Sequence, residues 1–342
     1  MAATTIGWMG LEQSLGNLTD SSVIAFHHRA IVASILIALT PIGLFGNALV
    51  IIAVVVAKKL RTITNILVIN LAVTDFITCL CFPFMSAGLL SQTGSYPMHD
   101  MICTTIAGVV LTCVSCSSLT LLAIAFVRWY VITRSVRGHQ GIHTPKKVVA
   151  LVVLIWIESI ELVILPLVLG KGTFGYSKYH QLCGLTVTNF FGFCYILLTG
   201  IQMAIVLMLM LMLYLLVLRH VLRHRKQIRD KFTTAEDIRS GATLNHESQA
   251  SSTSRESRLL KINAISKMEV EITKNLSMVV GVLVLCILPL SIDFMIPSDN
   301  VFTLYAPMIM LTNSVVNPII YGFKHPIFKE VFKSLLWPSR IA

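Results

Sequence analysis

One arginine, Arg128, closes an uncharged run that reaches back to Met101 in a chain of 342 residues. Its neighbours, Val127 and Trp129, carry no charge to balance it. A guanidinium at the end of an apolar helix either reaches out to the aqueous surface or waits for a carboxylate brought from elsewhere in the chain. Three acids, Asp75, Glu158 and Glu161, stand inside other apolar runs. An ionisable group in hydrocarbon is costly enough that each is a candidate for function. Glu158 and Glu161 are three apart and share a helix face, where two carboxylates in a low dielectric repel. They either face a ligand pocket or take hydrogen bonds from the third and fifth runs; packing against a neighbour is the plainer alternative. No nucleophile–base set and no zinc-type ligand spacing accompanies them, so an enzyme is not expected.

The runs that hold these residues are long. The chain is 55% hydrophobic and 13% charged, with a mean hydropathy of +0.80. A soluble globule of this size needs more charge to cover its surface. About 20 apolar residues span ~30 Å of hydrocarbon as a helix. Seven runs qualify: Ile31–Ala57, Asn65–Leu90, Met101–Val127, Val148–Leu169, Leu185–Leu218, Leu276–Ile292 and Val301–Phe323. The sixth is short and is expected to begin earlier, near Ser266. The fifth is long and is expected to project beyond the membrane. Lipid offers no hydrogen bonds, and barrel-type alternation is absent, so the expected fold is an all-α bundle of seven membrane helices.

With the amino terminus outside, only Arg29, Lys171 and Lys178 of the 27 lysines and arginines fall on the outer side. That asymmetry satisfies the positive-inside rule. The formal charge of +11 therefore reads as a cytoplasmic face that meets anionic lipid or an acidic protein, and not as a nucleic-acid footprint. Residues 1–30 form an outer segment without the apolar core of a signal peptide. Asn17 opens a glycosylation sequon there. Asn275 opens a second at the cytoplasmic mouth of the sixth span, and it is discounted. Of eight cysteines, only Cys103 and Cys183 sit where an oxidising exterior could join them.

Asp75 can persist if polar groups surround it. Asn47, Ser117, Asn313 and Asn317, on the first, third and seventh spans, are suitable. Together they form either a hydrated pocket able to hold a cation such as Na+ or a purely structural hydrogen-bond cluster; the spacing serves both equally. Pro318, in the "NPIIY" stretch from Asn317 to Tyr321, opens a helix where a bend can change, as does Pro289 in the sixth span. A static kink is the alternative.

These residues resemble, one per helix and in order, the rhodopsin-like G-protein-coupled receptors. The matches are Gly46–Asn47, "NLAVTD" at Asn70–Asp75, Cys103 with Cys183, Arg128, Trp156, Tyr214, Pro289 and "NPIIY". The resemblance implies a bond between Cys103 and Cys183. It also implies that Arg128 pairs at rest with Glu269, twenty residues before Pro289, and is freed to meet a heterotrimeric G protein when the sixth helix swings out. Tyr214 and Tyr321 then turn inward. Simple snorkelling of Arg128 is the alternative. The chain departs from the pattern at several places. Val127 stands where an acid precedes the arginine, which removes one restraint and implies raised ligand-independent signalling. Ile287 and Leu283 replace sixth-helix aromatics, and Val206 replaces a fifth-helix proline.

On the ligand side, Val110 occupies the third-helix position where amine receptors of this family carry aspartate, so a monoamine is disfavoured. No lysine falls within Val301–Phe323, so a retinal Schiff base is not expected. The loop "GKGTFGYSKYHQLCG" is faintly similar to those of melatonin-like and Moody-type orphan receptors. A small molecule, a lipid and a peptide all stay open, with Val110, Glu158, Glu161 and Ile287 as candidate pocket residues.

Residues 31–323 thus form the receptor domain. Within it, residues 219–267 are a cytoplasmic loop with basic ends and a disordered middle rich in Ser and Thr, the expected substrate of receptor kinases and then a partner of arrestin. Residues 324–342 hold an amphipathic helix whose Ile327, Phe328, Val331, Phe332, Leu335 and Leu336 share one face, set to lie on the membrane, and a short tail. Two other functions compete with signalling: a receptor-shaped protein that binds or traffics without coupling, and a transporter or channel. The second lacks the repeated halves common in transporters.

Overall fold

The computed structural model describes residues 24–134, 144–169, 173–178, 180–186, 190–241, 281–296 and 301–337. Seven helices build the bundle: α1 (Phe26–Val56), α2 (Ile63–Leu90), α3 (Asp100–Arg134), α4 (Pro145–Val168), α5 (Phe190–Gly241), α6 (described over Gly281–Met295) and α7 (Phe302–Lys324). A short α8 (Pro326–Leu336) follows. Where it is described, each expected span lies in a helix, and those holding the third and fifth spans run past the expected ends to Arg134 and Gly241. The fifth differs most: Leu185 and Thr186 belong to a strand, and the helix starts at Phe190. Its 52 residues correspond to roughly 78 Å, well over twice the hydrocarbon thickness. Glu269, Asn17, the Ser/Thr-rich middle of the third cytoplasmic loop and the expected early start of the sixth span near Ser266 lie outside the described residues.

Helix ends are set by local chemistry. Thr62 caps α2 by accepting from the Asn65 backbone N–H at 3.4 Å. Pro145 and Pro326 open α4 and α8, where a missing N–H leaves no bond unmade. Inside the helices, Thr74, Thr78, Ser118, Thr120 and Ser159 return their hydroxyls to backbone carbonyls one turn back. This is how small polar side chains persist away from water.

α1 meets its neighbours at two glycines. A Cβ on Gly43 would strike Cys79 of α2, and one on Gly46 would lie 2.9 Å from Cβ of Pro318 in α7. Small residues let helix backbones approach in a bilayer, where no solvent drives them together. Next to them, Leu36, Val50, Leu67, Leu71, Phe82, Met210, Leu283, Ile287 and Leu304 are fully buried in one continuous apolar core.

Two strands depart from an all-helical expectation. β1 (Thr173–Ser177) and β2 (Leu182–Thr186) form an antiparallel hairpin, with Tyr176 opposite Cys183. The hairpin turns through Gln181, at φ 54°. It covers the outer end of α3, and Cys183 is joined there to Cys103 with Cα atoms 5.2 Å apart.

Candidate functional site

The polar centre lies between α2, α3 and α7. Asp75 is completely buried. The Ser117 hydroxyl donates to its Oδ1 at 2.9 Å and the Asn317 amide to its Oδ2 at 2.8 Å. The Thr74 and Ser117 hydroxyl oxygens lie 2.8 Å apart. Asn47 is placed differently: its amide donates to the carbonyls of Gly43 and Ser314, both at 2.9 Å, and so ties α1 to α7. Asn313 is buried one turn above Asn317. The structure therefore brings Asp75, Ser117 and Asn317 into direct contact, with Asn47 and Asn313 as buried neighbours. A carboxylate with hydroxyl and carboxamide oxygens nearby is the donor set for a small hard cation. It also links the seventh helix to the second and third.

A second link was not anticipated as such. The Trp156 indole donates to Asn70 Oδ1 at 2.8 Å, and Asn70 Nδ2 donates to Thr120 at 2.8 Å. One carboxamide thereby joins α2, α3 and α4, a role visible only once the three helices are side by side.

At the inner mouth, Arg128 is half-buried on α3 within electrostatic reach of Tyr321 and His325. Among the described residues no acid lies in salt-bridge distance of it. Tyr321 stacks on Phe328 of α8 at 5.4 Å between ring centres, and His325 meets the same ring edge-on at 5.1 Å. Burial first, and the neighbouring Arg128 second, push the His325 imidazole down to about 4. α8 buries Phe328 and Phe332 and exposes Lys329 and Lys333, the face division read from the sequence. Lys59 and Glu330 pair at 3.4 Å across the exposed junction, a contact of small energetic weight. Tyr214 is half-buried on α5, and Pro289 and Pro318 lie within helices that continue past them.

The outer end is organised by Arg29, which sequence reasoning counted only as an outer charge. It is 6% exposed. Its guanidinium donates to the carbonyls of Ile24, Leu89 and Ser91 at 2.8–3.0 Å and to the Gln181 side chain. One cation thus clamps the start of α1, the end of α2 and the hairpin. Tyr176 donates to the Gly88 carbonyl at 2.9 Å beside it. Asp293 was also missed: the sixth span was read as ending at Ile292, but α6 continues to Met295 and buries Asp293.

A cavity of about 20 Å³, room for roughly one water, opens among α3, α4, α5 and α6. Ser115, Ser118, Thr199, Gln202 and Ile287 help line it. Of the four candidate pocket residues, Ile287 lines it and Val110 packs beside the core. Glu158 and Glu161 do not line it. Both are exposed on the outer surface of α4, and Glu158 accepts from Gln202 of α5 at 2.9 Å. The pocket placement is corrected, while the bond to Glu158 is one of those the sequence allowed from the fifth helix: at 3.6 residues per turn the buried face of α4 runs through Ile155 and Ser159, and the acids fall beside it.

A sequence model of the 7 transmembrane receptor (rhodopsin family) matches residues 46–321. The chain belongs to that family. It is accordingly a multi-pass membrane protein. It is 28% identical over 316 residues to the alpha-1D adrenergic receptor of Sus scrofa, covering 85% of this chain and 54% of that one. It is 26% identical to the alpha-1A adrenergic receptor of Oryzias latipes, covering 86% and 64%. Over a shorter stretch of 163 residues it is 34% identical to the human 5-hydroxytryptamine receptor 1F, covering 46% of this chain and 43% of that one. The chain thus spans roughly half to two thirds of the length of the adrenergic relatives. Squid rhodopsin shares the fold, with a TM-score of 0.74 at 19% identity over 93% of this chain and 88% of that one.

Proposed function

We propose that this chain is a G-protein-coupled receptor, which takes a ligand on its outer side and drives nucleotide exchange on a heterotrimeric G protein at its inner mouth. The observation that carries the reading is Arg128, a cation at the inner end of α3 among Tyr321, His325 and α8, with no acid beside it in sequence. Family membership supports it over a transporter or channel and over an enzyme. Glu269 is the resting counter-charge in this reading, and the chain lies in the plasma membrane with its amino terminus outside, as the basic residues favour. Receptor kinases and arrestin act on the third cytoplasmic loop, and anionic lipid meets α8. Na+ is proposed for the Asp75 site, where the carboxylate and the Ser117 and Asn317 side chains touching it supply oxygens and Asn47 and Asn313 border it. The adrenergic and serotonin relatives are named for amines; Val110 gives this chain no carboxylate at the position used for them, which favours a neutral small molecule, a lipid or a peptide.

Val127 is 2% exposed and packs in the apolar core, so no carboxylate restrains Arg128 from its own helix. Basal exchange is therefore high, and Val127→Asp lowers it when counted per folded receptor. The test of the function itself is nucleotide exchange on a panel of Gα subunits in membranes with and without the chain. Acceleration of at least one subunit supports the receptor; none, with or without candidate ligands, supports a non-coupling binding protein.

A further inference from the structure

The outward face of α4 carries two acids within an otherwise apolar surface. Leu154, Ile157, Glu158, Glu161, Ile164, Leu165 and Val168 are all exposed. Their spacing of three and four traces one stripe along the helix, the pattern by which one helix receives another. Two carboxyl groups sit in its middle. Glu158 lies 13 residues inside the 24-residue helix, so roughly 20 Å from its inner end, near the bilayer centre. Gln202 satisfies one oxygen of Glu158 from α5. Glu161, among the described residues, takes no hydrogen bond. Acids within spans ordinarily turn to the bundle interior or a wet cavity, because hydrocarbon solvates them so poorly. Glu161 turns away from both and Glu158 meets the bundle only through Gln202, so an occupant outside the bundle can reach both carboxyl groups.

We propose that this stripe is the docking surface for a transmembrane helix carrying a lysine or arginine near its midpoint, which Glu158 and Glu161 receive. Two alternatives are weaker on the same observations. A second copy of this chain, related by a two-fold through α4, would set these acids against the same acids at equal depth, a repulsive contact. Bare lipid would leave Glu161 unpaired. A basic side chain supplies donors to both carboxyl groups, and the flanking apolar residues pack along the rest of the partner. The inference stands whether or not the chain couples to a G protein.

The test is energy transfer in liposomes between the labelled full chain and a labelled leucine-rich membrane peptide with one central lysine. A peptide with leucine at that place is the reference. The lysine peptide should associate on the order of tenfold more tightly than the reference. Glu158→Leu with Glu161→Leu should erase the difference, as should the shape-preserving pair Glu158→Gln with Glu161→Gln. Both pairs remove charge from an exposed face, so the thermal midpoint and the Cys103–Cys183 bond should persist and certify the fold. Equal association of the two peptides, an undiminished lysine preference in both variant pairs, or saturable energy transfer between donor- and acceptor-labelled copies of the chain that both variant pairs abolish would each overturn the proposal.

Discussion

Asp75 concentrates the chemistry of the interior in one carboxylate held by Ser117 and Asn317. Asp75→Asn keeps the size and one of the two accepting oxygens but removes the charge that a cation needs. Sodium should slow basal exchange in the wild type and have no effect in the variant, as read by a NaCl titration against choline chloride at fixed ionic strength. His325 is the titrating group to watch outside the membrane. Its imidazole lies at about 4 in the fold against an ordinary value near 6.5, so the folded state holds it neutral. Its contribution is whole above about 6.5. Stability is lost as pH falls from there towards 4, because the unfolded chain takes the proton first, and levels off below. His325→Gln should flatten that part of the curve of thermal midpoint against pH; an unchanged slope would assign the acid sensitivity elsewhere.

Among the elements, the approach of α1 to α7 depends on Gly46. A Cβ there would lie 2.9 Å from Pro318, so Gly46→Val must separate the two helices or distort the proline turn. The cost is about 1–3 kcal/mol, seen as a lower thermal midpoint with weakened Asn47–Ser314 contact. The helices themselves were legible from the runs of apolar residues, because hydrocarbon leaves a spanning segment no other way to bond its backbone. Three features were not. The hairpin at Thr173–Thr186 follows from cross-strand pairing and the disulfide, neither of which a hydropathy pattern carries. The last turn of α6 was cut short at Ile292 because a charged residue, Asp293, ended the apolar run, although the helix buries it. Glu158 and Glu161 were recognised as misplaced charges, but which way a helix face turns is decided by its neighbours: Ser159 and Ile155 claimed the inward side. Arg29 illustrates the same limit. Its partners are carbonyls of Leu89 and Ser91, sixty residues away, and backbone acceptors leave no mark in side-chain sequence.

Across the whole molecule, three separate polar sets lie between different helices: the clamp at Arg29, the carboxylate of Asp75 and the mouth at Arg128. The inner set joins α3, α7 and α8, the elements a cytoplasmic partner would meet. Family membership settles what kind of bundle this is, and the inner face is the one proposed from the charge asymmetry. What makes the inner mouth a coupling site, in this account, is one guanidinium. The most direct measurement is nucleotide exchange on the best-coupled Gα subunit by the wild type and by Arg128→Ala, at equal membrane abundance and equal thermal midpoint. The account predicts that the alanine variant loses at least about tenfold of the basal rate, on the order of the 1.4 kcal/mol that one charged contact to a partner supplies. Equal rates from the two proteins would contradict it.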